Sequence, residues 1–404
     1  MIYKQNKLFI DKISVEKLAK KFNTPLYCYS HQKLNENILN IKKNFKKVDP
    51  LICFAVKSNS NIKILKEIKK YNLGADVVSI GELMKALKAG IKPQKIIFSG
   101  VGKTKTEIEY AIKKKILLIN AESKSEILEI EKIAKSKNKK INIGIRLNPN
   151  TDAKTLSQIS TGKKENKFGV DEKTFLSLVA HVNKSKNLTL KCLSVHIGSQ
   201  ILNNQPYLKM LKVVDKIIKK SKHRFEYVDL GGGIGIDYMH NRNKFDLNKY
   251  SLNIQKFLRK NNSKIIFEFG RSIIGTTAIL ISKITYIKKG YKKDFIILDS
   301  AMNDLMRPAL YNAQHKIIPI KKNKTNTKKS YEFVGPICES TDKFATIKKF
   351  QKLNEKELIA ICDVGAYGIS LSSNYNVRPK PMEILIKNSK ILIISKRQSL
   401  LELM

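Results

Sequence analysis

A lysine, a histidine, a run of glycines, a glutamate and an arginine in this 404-residue chain have types and surroundings suited to one chemistry. Lys57 follows the apolar run "LICFAV" (51–56) and precedes small polar residues. His196 stands in "SVHIGSQ", Gly231, Gly232 and Gly233 end "VDLGGG", and Glu268, Gly270 and Arg271 close "IIFEFGR". An amine that can lose its proton attacks an aldehyde and holds it covalently. Glycines let backbone N–H groups approach a phosphate without Cβ obstruction. A carboxylate facing a pyridine nitrogen keeps that nitrogen protonated, and a flat imidazole can lie against the ring face. These are the needs of pyridoxal 5'-phosphate, an electron sink for carbanion chemistry. Taken singly, each residue has a plain structural reading: a solvated lysine, a core histidine, a tight turn, or a surface pair between Arg271 and Glu268.

The elements that must position them follow from periodicity. Eight short β-rich apolar runs alternate with stretches of helical period: 51–56, 75–79, 95–100, 116–122, 141–148, 192–198, 227–233 and 264–270. The fold class is therefore α/β, and the count of eight favours a (β/α)8 barrel over an open doubly wound sheet. Barrel enzymes carry their chemistry at the C-terminal strand ends. On this reading strand one ends in Lys57, strand two in Ser79, strand five in Arg146 and strand eight in Glu268. Strand six carries His196, and strand seven ends in the glycines. After about residue 276 the alternation fades into strands and turns, which predicts a second, mostly antiparallel β-sandwich or barrel domain. "KILII" closes a hairpin there, and the segment before the barrel adds a strand. The expected domains are 31–275 for the barrel and 1–30 plus 276–404 for the β domain. "KNKTNTKK" (322–329) reads as a mobile loop.

Composition excludes several classes. The formal charge of +44 invites a nucleic-acid reading. However, only eight of the 78 basic residues are arginine, and the rest are dispersed lysines. A nucleic-acid surface favours arginine, whose planar fork reads phosphate and guanine, so no nucleic-acid partner is expected. No apolar run approaches the ~20 residues that span a bilayer, so no membrane partner is expected either. The N-terminus lacks an apolar leader segment. The five cysteines are scattered without a CxxC pair, which argues against disulfides and a zinc site and for a reducing cytoplasm. No metal is expected.

The motifs "FAVKSN", "HIGSQ", "DLGGG", "EFGR", "RPALY", "GPICES" and "GAYG", in that order, resemble those of the fold-type III pyridoxal-phosphate-dependent decarboxylases, the ornithine/diaminopimelate/arginine decarboxylase family. The resemblance runs from about residue 25 to 385 and takes in "ISTGKKENKFGV" (159–170). It implies that Lys57 holds the cofactor, His196 stacks on its ring, and Glu268 pairs with the pyridine nitrogen. Gly231, Gly232, Gly233 and Tyr367 would bind the phosphate, with backbone of Phe269, Gly270 and Arg271 nearby. Arg271, Arg307 and Tyr311 would bind the substrate's remote carboxylate and Glu339 its distal ammonium, with Tyr367 also a substrate contact. Cys338 would be the proton donor. The family's Cys–Glu pair reaches the site from a partner chain, which implies a homodimer with shared active sites. The implied reaction is decarboxylation of meso-diaminopimelate to L-lysine and carbon dioxide; the alternative is an ornithine, arginine or carboxyspermidine decarboxylase. Two departures stand out. Phe269 replaces the usual proline, and Ile80 the usual glycine.

Overall fold

The computed structural model describes residues 1–153, 155, 159, 161–323 and 327–404. Lys324 to Asn326, within the expected mobile loop, lie outside the described residues, as does Ser160. The chain divides into two compact units. One comprises 38–236 and 243–272, and the other 1–37, 237–242 and 273–404.

The first unit is a closed eight-stranded barrel, so the open-sheet alternative falls. Its strands are β1 (Leu51–Ala55), β2 (Gly74–Val77), β3 (Ile96–Phe98), β4 (Leu118–Ala121), β5 (Ile141–Arg146), β6 (Leu188–Ser194), β7 (Tyr227–Asp229) and β8 (Lys264–Phe269). All eight pairings are parallel, with β8 closing on β1. Side chains alternate across a strand, so residues two apart share a face. One lumen layer is apolar: Cys53, Ile97, Leu118, Cys192 and Ile266 pack together as a plug. Two residues further along each strand the lumen changes to Ala55, Ser99, Asn120, Ser194 and Glu268, joined by Asp76 and Asp229. Apart from the alanine, this upper layer is polar and buried. Helices cover the outside. Most start on a side-chain cap, such as Ser79 for Ile80–Lys88, Thr104 for Lys105–Lys114 and Ser123 for Lys124–Ser136.

Four expected strand ends shift. β7 stops at Asp229, which leaves Gly231 to Gly233 in the loop beyond it. β1 stops at Ala55, and Lys57 sits two residues on, inside the single 3-10 turn Val56–Ser58. Ser79 is not in β2 but caps the next helix, its hydroxyl accepting from the Glu82 N–H. β6 begins at Leu188 and ends at Ser194, which leaves His196 in the following loop. At Lys57 and His196 the apolar run continues past the last inter-strand bond because Val56, Val195 and Ile197 are also buried, whereas beyond β2 Val78 is exposed and Ser79 is spent on the helix cap.

The second unit is a mostly antiparallel sheet. Its strands run Lys343–Gln351, Lys328–Val334, Asp294–Leu298, Ala278–Lys288, Leu26–Ser30, Met382–Lys387 and Lys390–Ser395 across the sheet. Leu26–Ser30 comes from the N-terminal segment and pairs with Ala278–Ile281, as expected. Met382–Lys387 and Lys390–Ser395 form the expected hairpin. Leu358–Cys362 also pairs with Ala278–Lys288, and Ile317–Pro319 pairs with Leu358–Cys362.

Candidate active site

The polar layer of the barrel gathers the chemistry. Lys57 Nζ lies 3.1 Å from Asp76 Oδ2. Asp76 is fully buried on β2, and its Oδ1 has no hydrogen-bond partner among the described residues. A carboxylate left so bare is stable only beside a positive charge, so Asp76 ties the Lys57 amine to the lumen. Glu268, on β8, accepts from the Ser99 hydroxyl at 3.0 Å. Burial, followed by the negative charges of Asp229 and Asp76, pushes the Glu268 carboxyl well above the usual range. Asp229 ends β7 and accepts from the Asn120 amide at 3.1 Å and the Gly231 N–H at 2.9 Å. Burial, the largest cause, moves Asp229 up to about 6. Burial thus shifts both carboxyls of this pair towards the protonated form.

The glycine run passes directly over this layer. A Cβ on Gly232 would stand 2.1 Å from the Glu268 carbonyl oxygen, and one on Gly233 2.2 Å from that of Gly198. Gly231, at φ +65°, would meet His196 Nδ1 at 2.4 Å. Side chains are thus excluded by the neighbouring loops, and backbone is left at the mouth. The Gly232 N–H donates to His196 Nδ1 at 3.1 Å. A backbone N–H only donates, so Nδ1 accepts and the neutral ring carries its proton on Nε2. Burial, then the Arg146 and Lys57 charges, keep this imidazole well below its usual pKa. Arg271 is buried and donates to the Ser199 hydroxyl at 3.0 Å, so it is not a surface partner of Glu268. Phe269 is buried with its ring 4.5 Å from Phe267 and 6.1 Å from Phe45. Strand alternation sends its side chain outward while Glu268 points in, so only its backbone is on the site's side. At the other departure, the Ile80 N–H donates to Glu107 Oε1 at 2.9 Å.

Several participants were not singled out from sequence. Asp76, Ser99, Asn120 and Asp229 lie one lumen layer above the apolar plug, a pattern visible only when the strands are in register. Glu122 accepts from Arg146 at 2.9 Å, the Gly100 N–H at 3.1 Å and the Gly169 N–H at 3.0 Å. It thereby ties three rim loops together. Within "ISTGKKENKFGV", Thr161 Oγ1 donates to the His196 carbonyl at 3.0 Å, which steadies that loop.

Arg307, Tyr311, Cys338, Glu339 and Tyr367 belong to the second unit. Arg307 is buried at the start of the helix Arg307–Tyr311, its guanidinium 4.6 Å from the Tyr238 ring centroid. "GPICES" turns around Asp342, whose carboxylate accepts from the Met302 N–H at 2.7 Å and the Ile337 N–H at 2.8 Å. That turn leaves Cys338 and Glu339 exposed. Glu339 accepts from Thr341 at 3.0 Å and from the Tyr375 hydroxyl. Tyr367 is held at φ +57°, unusual for a bulky residue. The other four cysteines are buried and free.

The residues present fit pyridoxal phosphate: an amine oriented by a carboxylate, a glycine-only cradle, a carboxyl able to exchange a proton and a neutral imidazole. The family model for the pyridoxal-dependent decarboxylase, pyridoxal binding domain, matches residues 31–275. The chain is 44% identical to a diaminopimelate decarboxylase of Helicobacter pylori, over 96% of each chain. It is 39% identical to one of Aquifex aeolicus, over 98% of this chain and 94% of that one. The crystal structure of the Helicobacter pylori enzyme complexed with L-lysine superposes with a TM-score of 0.92 at 43% identity, covering 96% of this chain and 98% of that one. The chain belongs to the pyridoxal-dependent decarboxylase family, in its diaminopimelate decarboxylase branch.

Proposed function

We infer that the protein decarboxylates meso-diaminopimelate to L-lysine and carbon dioxide, the last step of lysine biosynthesis, with pyridoxal 5'-phosphate as cofactor. The observation that carries this reading is the buried polar layer of Asp76, Asp229 and Glu268 beneath Lys57 and the glycine cradle, in a chain 44% identical to such an enzyme. Bound pyridoxal phosphate supplies an electron sink for the pair left behind when a carboxylate departs from Cα. Lys57 is the amine that would hold its aldehyde, with Asp76 keeping Nζ oriented. Gly231 to Gly233 would form the phosphate cradle, joined by Tyr367; the Gly231 and Gly232 N–H groups are held by Asp229 and His196, so the Gly233 N–H is the one this run would offer the phosphate. The Glu268 carboxyl would exchange a proton with the ring nitrogen, which its raised proton affinity favours. His196, kept neutral, presents a flat face without adding positive charge.

Arg271, Arg307 and Tyr311 would bind the carboxylate of the non-reacting end, and Glu339 its ammonium. A guanidinium takes a carboxylate through two parallel bonds, so buried arginines suit a substrate with a second amino-acid head group. Cys338 Sγ would return a proton to Cα. Its exposure beside Glu339 suits a homodimer in which each chain completes its partner's site. A cytoplasmic location fits four buried free cysteines. No helix among the described residues is long and apolar enough to cross a membrane. Incubating the protein and cofactor with meso-diaminopimelate should release lysine and carbon dioxide in equal amounts. A higher kcat/KM on ornithine or arginine would overturn the assignment.

A further inference from the structure

His315 was not singled out from sequence, and it is buried in the second unit beside Arg307. Its Nε2 stands 2.7 Å from Arg307 Nη1, and its Nδ1 2.8 Å from the Cys362 carbonyl oxygen. Donor and acceptor chemistry settles the ring's state. A carbonyl only accepts, so Nδ1 carries a proton. A guanidinium only donates, so Nε2 must be bare. The ring is therefore the neutral Nδ1–H tautomer, and it accepts from Arg307.

The anchor of this ring is rigid. The Cys362 N–H donates to the Lys316 carbonyl at 2.8 Å, and Ile361 pairs with Ile317 in the adjoining ladder. The Cys362 peptide is thus clamped on both sides. Tyr238 completes the enclosure, its ring 4.8 Å from that of His315 and 4.6 Å from the Arg307 guanidinium. An arginine side chain has many rotamers, and holding one of them before a ligand arrives removes an ordering cost from binding.

We propose that His315 is a positioning residue for recognition of the substrate's remote carboxylate: through its bare Nε2 it fixes the Arg307 guanidinium in the orientation that receives that group. This rests on the reading that Arg307 binds a carboxylate. The specificity consequence is that His315 acts only on ligands carrying that carboxylate. L-lysine carries one, whereas 1,5-diaminopentane has the same amines and none.

Asparagine and glutamine separate the two ring nitrogens. In His315→Asn the side-chain amide can still reach Cys362, but the acceptor for Arg307 is lost. In His315→Gln an oxygen can lie near the position of Nε2. The test measures binding of L-lysine and of 1,5-diaminopentane to the cofactor-loaded protein by calorimetry, with KM and kcat for meso-diaminopimelate. We expect His315→Asn to weaken L-lysine about 10-fold, the effect of one lost hydrogen bond to a charged group. The diamine should be unaffected, KM should rise more than kcat falls, and His315→Gln should recover most of the loss. Unchanged L-lysine binding in His315→Asn, equal loss of both ligands, or no recovery in His315→Gln would overturn the proposal.

Arg307→Met separates this failure from failure of the underlying reading. If it binds L-lysine like the unaltered protein, the carboxylate role of Arg307 falls, and the proposal with it. If it weakens L-lysine while His315→Asn does not, the proposal alone falls. Nitrogen-15 spectra of the histidines in the unaltered protein do not depend on any variant folding. One of the six histidines should be neutral and protonated on Nδ1; if none is, the proposal is overturned.

Discussion

At the scale of single residues, burial decides which carboxyl groups keep their protons. Asp304 in the second unit accepts from the Ala301 N–H at 2.9 Å and the Asn303 amide at 3.1 Å. These bonds favour the ionised form, yet burial outweighs them and moves the group up to about 7. An unfolded Asp titrates near ~4, so the folded state holds this proton more tightly. The resulting stabilisation is complete below about pH 4 and is lost as pH rises towards 7. Asp304→Asn cannot ionise and should gain on the wild type by on the order of 3 kcal/mol between those limits. Denaturant unfolding of both proteins at pH 4.5 and 7.5 checks this, and an identical stability gap at the two values contradicts it. Lys57 and Asp76 show the same dependence on setting. Among 70 lysines nothing in residue type separates Lys57, whereas a fully buried carboxylate 3.1 Å away does.

At the scale of elements, the glycine run and the end of β8 act as one piece. Gly232 lets its loop lie against the Glu268 carbonyl, where a Cβ would stand at 2.1 Å. Because the obstructing atom is backbone, no side-chain rotation relieves the clash. Gly232→Ala should push the loop off β8, cost about 1–3 kcal/mol as overpacked positions do, and release the cofactor. Gel filtration followed by absorbance of retained pyridoxal phosphate reads the second effect. Full retention would show that the loop does not form the cradle. Phe269, the departure from the family's proline, is accommodated because its ring joins Phe45 and Phe267 outside the barrel. The family motif could flag that position but not show where its side chain goes, since the direction depends on the pleat of β8.

At the scale of the whole molecule, the proposed homodimer makes a prediction that a single chain does not. If Cys338 serves the partner's site, a Lys57→Ala protomer and a Cys338→Ala protomer together build one intact site. Exchanging chains between the two inactive homodimers should restore roughly a quarter of wild-type activity, the statistical share of intact sites when half the dimers are mixed. No recovery after proven exchange would place Cys338 in its own chain's site. Much of this architecture was legible in advance. Eight apolar runs spaced by helical periods reveal the β/α alternation because period is a local property, carried by neighbouring residues whatever the tertiary context, and their count favours a barrel. The order of motifs gave the family and the candidate residues Lys57, His196, Gly231 to Gly233, Glu268, Arg271, Arg307, Cys338 and Glu339. The strand ends read at Lys57, His196 and the glycine run lie beyond the strands, since burial continues past the last inter-strand bond at Val56, Val195 and Leu230, whereas Ser79 is spent on a helix cap. Asp76, Ser99, Asn120, Asp229, Glu122 and His315 emerged only in three dimensions. Each acts through a partner on a different strand or loop, often a backbone carbonyl or N–H with no signature in sequence. Residue type and local spacing therefore determined what chemistry the chain can carry. Strand register and long-range hydrogen bonding decided which carboxyls are shifted towards their protonated form, which ring is neutral and which lysine is tied to the fully buried carboxylate of the barrel lumen.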